Sequence, residues 1–140
     1  MSPRTDEIPV REILVVDDDE GILNLAREIL EHEGYRVDTA SSSRDALGRA
    51  RSKGYDLVIL DLILPDTDGV ILRNKLKRLM PGIEGRTIFM TGFTSKDPVL
   101  DYLRSVSTEL IHKPFLPDDL LQAVGRIFQE GATCSSWSES

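Results

Sequence analysis

Asp61 is the one polar residue in an otherwise apolar run at residues 57–64, LVILDLIL. A carboxylate in such a run is costly to bury without a partner. Either it caps the loop that follows, or the strand ends near it and presents it in a crevice where something cationic meets it. Other residues of chemical interest stand at comparable places. Asp17 and Asp18 follow the β-branched run ILVV, Thr91 closes TIFMT, and Lys113 follows the short apolar piece at Leu110 and Ile111. Three carboxylates drawn together cannot all stay ionised without a cation. Carboxylate oxygens and water suit Mg²⁺, which takes only one or two protein carboxylates directly. An Asp beside such a metal is a competent nucleophile toward phosphorus, giving an aspartyl phosphate. Transfer then needs charge neutralisation more than a base, which the Lys113 ammonium and Thr91 hydroxyl can supply. Zinc is not suggested, since His32 and His112 are far apart and the one cysteine, Cys134, lies in the tail.

That chemistry requires elements that bring the residues together. Residues 13–16 read as a short strand, and Ile22, Ala26, Ile29 and Leu30 then recur at helical spacing until Gly34. Residues 35–40 (YRVDTA) form a second strand. Ser43 can cap the next helix, whose inner face is Ala46, Leu47 and Ala50, with Gly54 at its end. The run around Asp61 reads as a strand buried on both faces, stopped by Pro65. A helix with Leu72, Leu76 and Leu79 inward follows Gly69 and ends at Pro81. Residues 87–91 are a fourth strand, closed by Gly92. Asp97-Pro98 reads as an N-cap with proline at the first helical position, opening a helix to about residue 106. A fifth strand at Leu110 and Ile111 leads into a last helix from Pro117. That helix carries Asp118 and Asp119 in its first turn and buries Leu120, Val124 and Ile127. Strict alternation with short links implies an α/β fold: a parallel sheet with helices on both faces. The functional crevice of such a sheet lies beyond the carboxyl ends of its strands, where Asp17, Asp18, Asp61, Thr91 and Lys113 converge if strands one, three, four and five are neighbours.

The 140 residues suit one domain with a real core, and the formal charge of −7 argues against direct nucleic-acid binding by this domain. The opening residues (MSPRTDEIPVRE) lack the apolar region of a signal peptide, and no stretch reaches the length of a membrane span. With the lone cysteine, this fits a cytoplasmic protein without a membrane partner. Residues 1–11 read as a flexible N-terminal segment, 12–130 as the folded domain and 131–140 as a flexible tail or linker.

The pieces VVDDDE (15–20), VILDLILPDTDG (58–69), MTG (90–92) and HKPF (112–115) together resemble the receiver domain of two-component response regulators, the CheY-like family. The resemblance runs from Ile13 to about Gln129. It implies a flavodoxin-like, doubly wound sheet of five parallel strands in the order 2-1-3-4-5. Residue by residue it makes Asp61 the phosphoacceptor, Asp18 a direct Mg²⁺ ligand and Asp17 the acid that acts through a metal-bound water. It also makes the backbone carbonyl of Ile63 a metal ligand, Thr91 the switch hydroxyl and Lys113 the phosphate-pairing lysine. Pro65 and Gly69 match residues that shape the loop, and receivers commonly have the Lys113–Pro114 bond cis.

The implied partners are a sensor histidine kinase or phosphotransfer protein, a downstream effector domain or protein, and a second copy on phosphorylation. Such a domain is no enzyme in the turnover sense; it catalyses only its own phosphorylation and dephosphorylation. Leu110 replaces the family's usual Tyr or Phe, Gly92 the usual Ala, and Val106-Ser107 the common Gly-Ala. These departures bear on signalling rather than phosphorylation. They move the expected output onto Thr91, residues 92–97, and the face formed by the helix after Pro98, strand five and the last helix. Ile63 and Phe93, both apolar, cannot orient an attacking water, which implies a long-lived phosphorylated state. The alternative is a phosphorylation-independent pseudo-receiver, which typically lacks one or more of the five polar site residues. A hydrolase of the haloacid dehalogenase type wants an acid two residues after its nucleophile, where this chain has Ile63.

Overall fold

The computed structural model describes residues 10–92 and 109–131, with side chains through residue 128. The expectations for both ends of the chain fall mainly outside these residues. So do the helix after Asp97-Pro98 and the roles given to Phe93, Val106 and Ser107. In chain order the elements are β1 (Glu12–Val16), α1 (Glu20–His32), β2 (Arg36–Ala40), α2 (Ser43–Ser52) and β3 (Leu57–Asp61). They continue with α3 (Gly69–Leu79), a short 3₁₀ turn (Ile83–Arg86), β4 (Thr87–Thr91), β5 (Glu109–His112) and α4 (Pro117–Gly131). All five strands pair in parallel in the order β2-β1-β3-β4-β5, as expected.

Side chains alternate across a strand, and the core divides accordingly. Leu14, Val16, Val58, Leu60 and Phe89 face Ala46, Ala50, Leu72 and Leu76 of α2 and α3. Ile13, Val15, Leu57, Ile59, Ile88 and Met90 face Leu23, Ala26 and Leu30 of α1 and Leu120, Val124 and Ile127 of α4. Burying each of the large side chains contributes about 1.5–3 kcal/mol. Truncating the fully buried Leu30 to Ala should cost about 2–5 kcal/mol.

The helix ends follow local chemistry. Asp19 accepts from the N–H groups of Gly21 and Ile22 to start α1, and Asp68 accepts from Ile71 N–H to start α3. Gly34, at φ +98°, turns the chain from α1 into β2 in a conformation that other residues adopt only with strain. Two local expectations are corrected. Ser42, not Ser43, is the N-cap of α2, its hydroxyl accepting from Asp45 N–H. Leu79 is 40% exposed, and Met80, just past the helix, is buried in its place. The outer edge of β2 is partly covered by Arg49, whose Nε donates to the Thr39 carbonyl at 2.7 Å.

Candidate functional site

The strands β1, β3 and β5 each extend their ladder by one hydrogen bond past the last residue. Asp17 N–H donates to Ala40 O at 3.1 Å, Leu62 N–H to Met90 O at 3.0 Å and Lys113 N–H to Thr91 O at 2.8 Å. Backbone direction is therefore still set by the sheet where the functional side chains leave it. Asp17, Asp61 and Lys113 share the alternation parity of Val15, Ile59 and Ile111, so all three project on the side covered by α1 and α4.

The result is a partly buried lysine held between two carboxylates. Lys113 Nζ lies 2.8 Å from Asp17 Oδ2 and 3.0 Å from Asp61 Oδ2. The remaining oxygens are also engaged: Asp17 Oδ1 accepts Asp19 N–H at 2.9 Å, and Asp61 Oδ1 accepts Ile63 N–H at 3.2 Å. Asp17 is wholly buried and Asp61 nearly so, while Asp18 is exposed. Oxygens of Asp17, Asp18 and Asp61 all lie within 4.8 Å of one another. The three successive aspartates thus differ in role: one buried in the site, one at its mouth, and one capping α1.

Burial pushes the Asp17 carboxyl above its usual pKa, outweighing the Lys113 ammonium and the Asp19 N–H, which pull it down. Burial likewise works against the charge of Lys113. Its hydrogen bonds to Asp17 and Asp61 prevail, and its pKa stands above the ordinary lysine value. An all-oxygen donor set with an exposed member suits a hard divalent cation such as Mg²⁺. His32 on α1 and His112 at the end of β5 are both exposed, and neither joins the cluster of acids.

Thr91 ends β4, buried, and is joined to Lys113 through its carbonyl. The Lys113–Pro114 peptide is cis. Ile63 lies in the loop after β3 with its side chain 56% exposed and its N–H on Asp61. Leu110 is half-buried against the α2–α3 side of the core. Gly69 proves indispensable for space: a Cβ there would stand 2.5 Å from the carbonyl oxygen of Asp61. The sequence reading missed Asp66, whose carboxylate accepts from the first residues of α2. Nothing local to PDTDG marks that contact, because its partners lie more than twenty residues earlier.

Comparison with known proteins agrees with this fold. The response regulator receiver domain family matches residues 13–125. The transcriptional regulatory protein ZraR of Salmonella typhimurium is 32% identical over 131 residues, covering 91% of this chain but 29% of ZraR. The chain thus spans less than a third of that relative's length. A CheY-like receiver domain protein from Methanospirillum hungatei superposes with a TM-score of 0.77 at 33% identity, covering 89% of this chain and 98% of its own. The beryllofluoride-activated NtrC4 receiver domain dimer gives a TM-score of 0.73 at 31% identity, covering 85% and 97%. With its strand order and its acids gathered at the carboxyl ends of β1 and β3, the chain belongs to the response regulator receiver domain family.

Proposed function

We propose that this receiver takes a phosphoryl group onto Asp61 from a phosphohistidine of a sensor kinase or phosphotransfer protein. The observation that carries this reading is the placement of Asp61 at the end of β3, against Lys113 and beside two further acids. An Asp61 oxygen bonds to phosphorus as the donor's P–N bond breaks and the imidazole keeps the electron pair. Asp18, Asp61 and the Ile63 carbonyl would hold Mg²⁺, with Asp17 as the outer acid. When bound, the ion supplies charge neutralisation at the phosphoryl oxygens. Lys113, released from Asp61 as that carboxylate becomes an acyl phosphate, pairs with the phosphoryl group, and the Thr91 hydroxyl reaches the same oxygens.

The switched state then binds an effector domain or protein, or a second copy of the chain; the NtrC4 neighbour is a dimer in its activated form. Such chemistry modifies the domain itself and turns over no external substrate, which fits a cytoplasmic signalling protein. Among the described residues no helix is long and apolar enough to cross a membrane. Leu110 has no ring to swing, so output rests on Thr91 and the backbone it pulls.

Incubation with Mg²⁺ and a small-molecule phosphodonor, followed by intact mass and peptide mapping, tests this directly. One phosphate on Asp61, absent from Asp61→Asn, is the expected result. No adduct on the wild type, with partner binding intact, would favour a pseudo-receiver instead. A polar residue at the exposed position 63, as in Ile63→Asn, should shorten the life of the adduct by helping water to attack. Hydrolysis unchanged in Ile63→Asn and in Phe93→Glu would remove that idea.

A further inference from the structure

The loop between β3 and α3 is fixed at both ends. Gly69 N–H donates to Leu62 O at 2.8 Å, and the missing side chain of Gly69 lets the helix start sit against Asp61. Ile63 and Asp68 form a bridge, and Leu64 N–H closes onto Thr67 O at 3.0 Å. The tip of the loop, beyond Pro65, is held by a contact outside the loop. Asp66 Oδ1 accepts Ser43 N–H at 3.1 Å. Asp66 Oδ2 accepts the Ser43 hydroxyl at 2.6 Å and Arg44 N–H at 3.2 Å.

Ser43 and Arg44 open α2, so their N–H groups have no acceptor within the helix. The helix already has a cap of its own in Ser42. Asp66 is therefore a second cap delivered from a distant loop. The Ser43 hydroxyl and backbone N–H hold its carboxyl below the usual range, which keeps it ionised. Ser43 is itself buried, so the anchor point is set by the core.

Ile63 stands between the sheet end of this loop and its tethered tip. We infer that Asp66 is a positioning residue: by tying the loop tip to α2 it presets the Ile63 carbonyl for a cation held by Asp18 and Asp61. This rests on the metal reading above. Supports one shell removed from a metal commonly change its affinity by about 10–100-fold. Linkage makes the effect reciprocal, so a cation at the acids must tighten the contact between Asp66 and α2.

Calorimetric titration of the full chain with Mg²⁺ tests the inference, with Asp66→Ala, Ser43→Ala and Ser42→Ala alongside. Asp66→Ala should weaken Mg²⁺ binding roughly tenfold, and Ser43→Ala, which removes only the hydroxyl bond, should weaken it less. Ser42→Ala removes the helix's own cap and should lower the melting temperature while leaving Mg²⁺ affinity unchanged. In wild type, Mg²⁺ should slow hydrogen exchange at the Ser43 and Arg44 amides, and in Asp66→Ala it should not. Equal affinity in wild type and Asp66→Ala would overturn the tether. So would an equal loss in Ser42→Ala, which would reduce the effect to helix stability. Wild type that binds no Mg²⁺ would instead overturn the metal reading, and this inference with it.

Discussion

Among the described residues a lysine stands between two carboxylates at each of two opposite ends of the sheet. Near the amino ends of the strands, Lys53 Nζ lies 3.0 Å from Glu12 and 3.1 Å from Asp38. At the carboxyl ends, Lys113 bridges Asp17 and Asp61 at nearly the same distances. The surroundings differ. The Lys53 side chain is 41% exposed, Arg36 adds a second cation 3.7 Å from Glu12, and Tyr55 donates its hydroxyl to Asp38 at 2.6 Å. Charge there is matched and solvated. The Lys113 side chain is 20% exposed, Asp17 is fully buried, and a third acid, Asp18, faces the pair. Distances alone do not separate a structural strut from a reactive site. Burial and net charge differ between the two ends: at the carboxyl ends three carboxylates face one ammonium, an excess of two negative charges that one divalent cation would match.

The largest test of this contrast is Lys113→Ala, which strands a buried carboxylate and should cost about 3 kcal/mol of metal-free stability by denaturant unfolding. Equal costs for Lys113→Ala and Lys53→Ala would erase the distinction. Next comes the cation: Mg²⁺ at 100 times its dissociation constant should stabilise the wild type by about 2.7 kcal/mol. Asp18→Asn should be more stable than wild type without metal, through relief of repulsion, and gain far less on Mg²⁺ addition. Tyr55→Phe should cost about 1 kcal/mol, the worth of one hydrogen bond. Lys53→Ala should cost no more than about 0.5 kcal/mol and less at high salt.

The two ends also predict a pH profile. The Tyr55 hydroxyl, and secondarily Lys53, hold Asp38 below its unperturbed value of 3.8. That contribution is present above pH 3.8 and is lost as pH falls through the lower folded value. Burial first, and then Asp38, raise Tyr55 above its unperturbed 10.0; its contribution is present below that pH and is lost as pH rises through the folded value. Lys113, also raised, behaves the same way above its unperturbed 10.5. Tyr55→Phe should therefore flatten part of the acid flank, leaving the share of Asp66, and part of the alkaline flank, leaving the shares of Lys113, Lys53 and Tyr35. An alkaline flank untouched by Tyr55→Phe would discount the Asp38–Tyr55 contact.

The strands and the core faces were legible because period-two and period-3.6 patterns are local. Residues 87–91 were placed to the residue. The convergence of Asp17, Asp61 and Lys113 was legible only in part: alternation implied a parallel sheet, while the strand order that makes β1, β3, β4 and β5 neighbours came from the resemblance to receiver domains. The end of β3 at Asp61 followed from the placement of the acid and not from the hydrophobic pattern, which continues through Leu62 and Leu64, buried in the loop rather than in the strand. Leu79 matched the helical period but lies in the last turn, where the chain turns and Met80 takes the inward place. Among Ser41, Ser42 and Ser43 any hydroxyl could cap. Only Asp66, distant in sequence, decides that Ser43 turns away from its own helix.

The guanidinium of Arg49 on the Thr39 carbonyl has a consequence for how copies of this domain meet. β2 is an outer strand, and an outer strand with free backbone groups invites a foreign strand to pair with it. Here the newcomer must first strip a 2.7 Å charge-assisted hydrogen bond from Thr39 and move a cation out of its path. At crowded concentrations that border resists fibre-like stacking through β2.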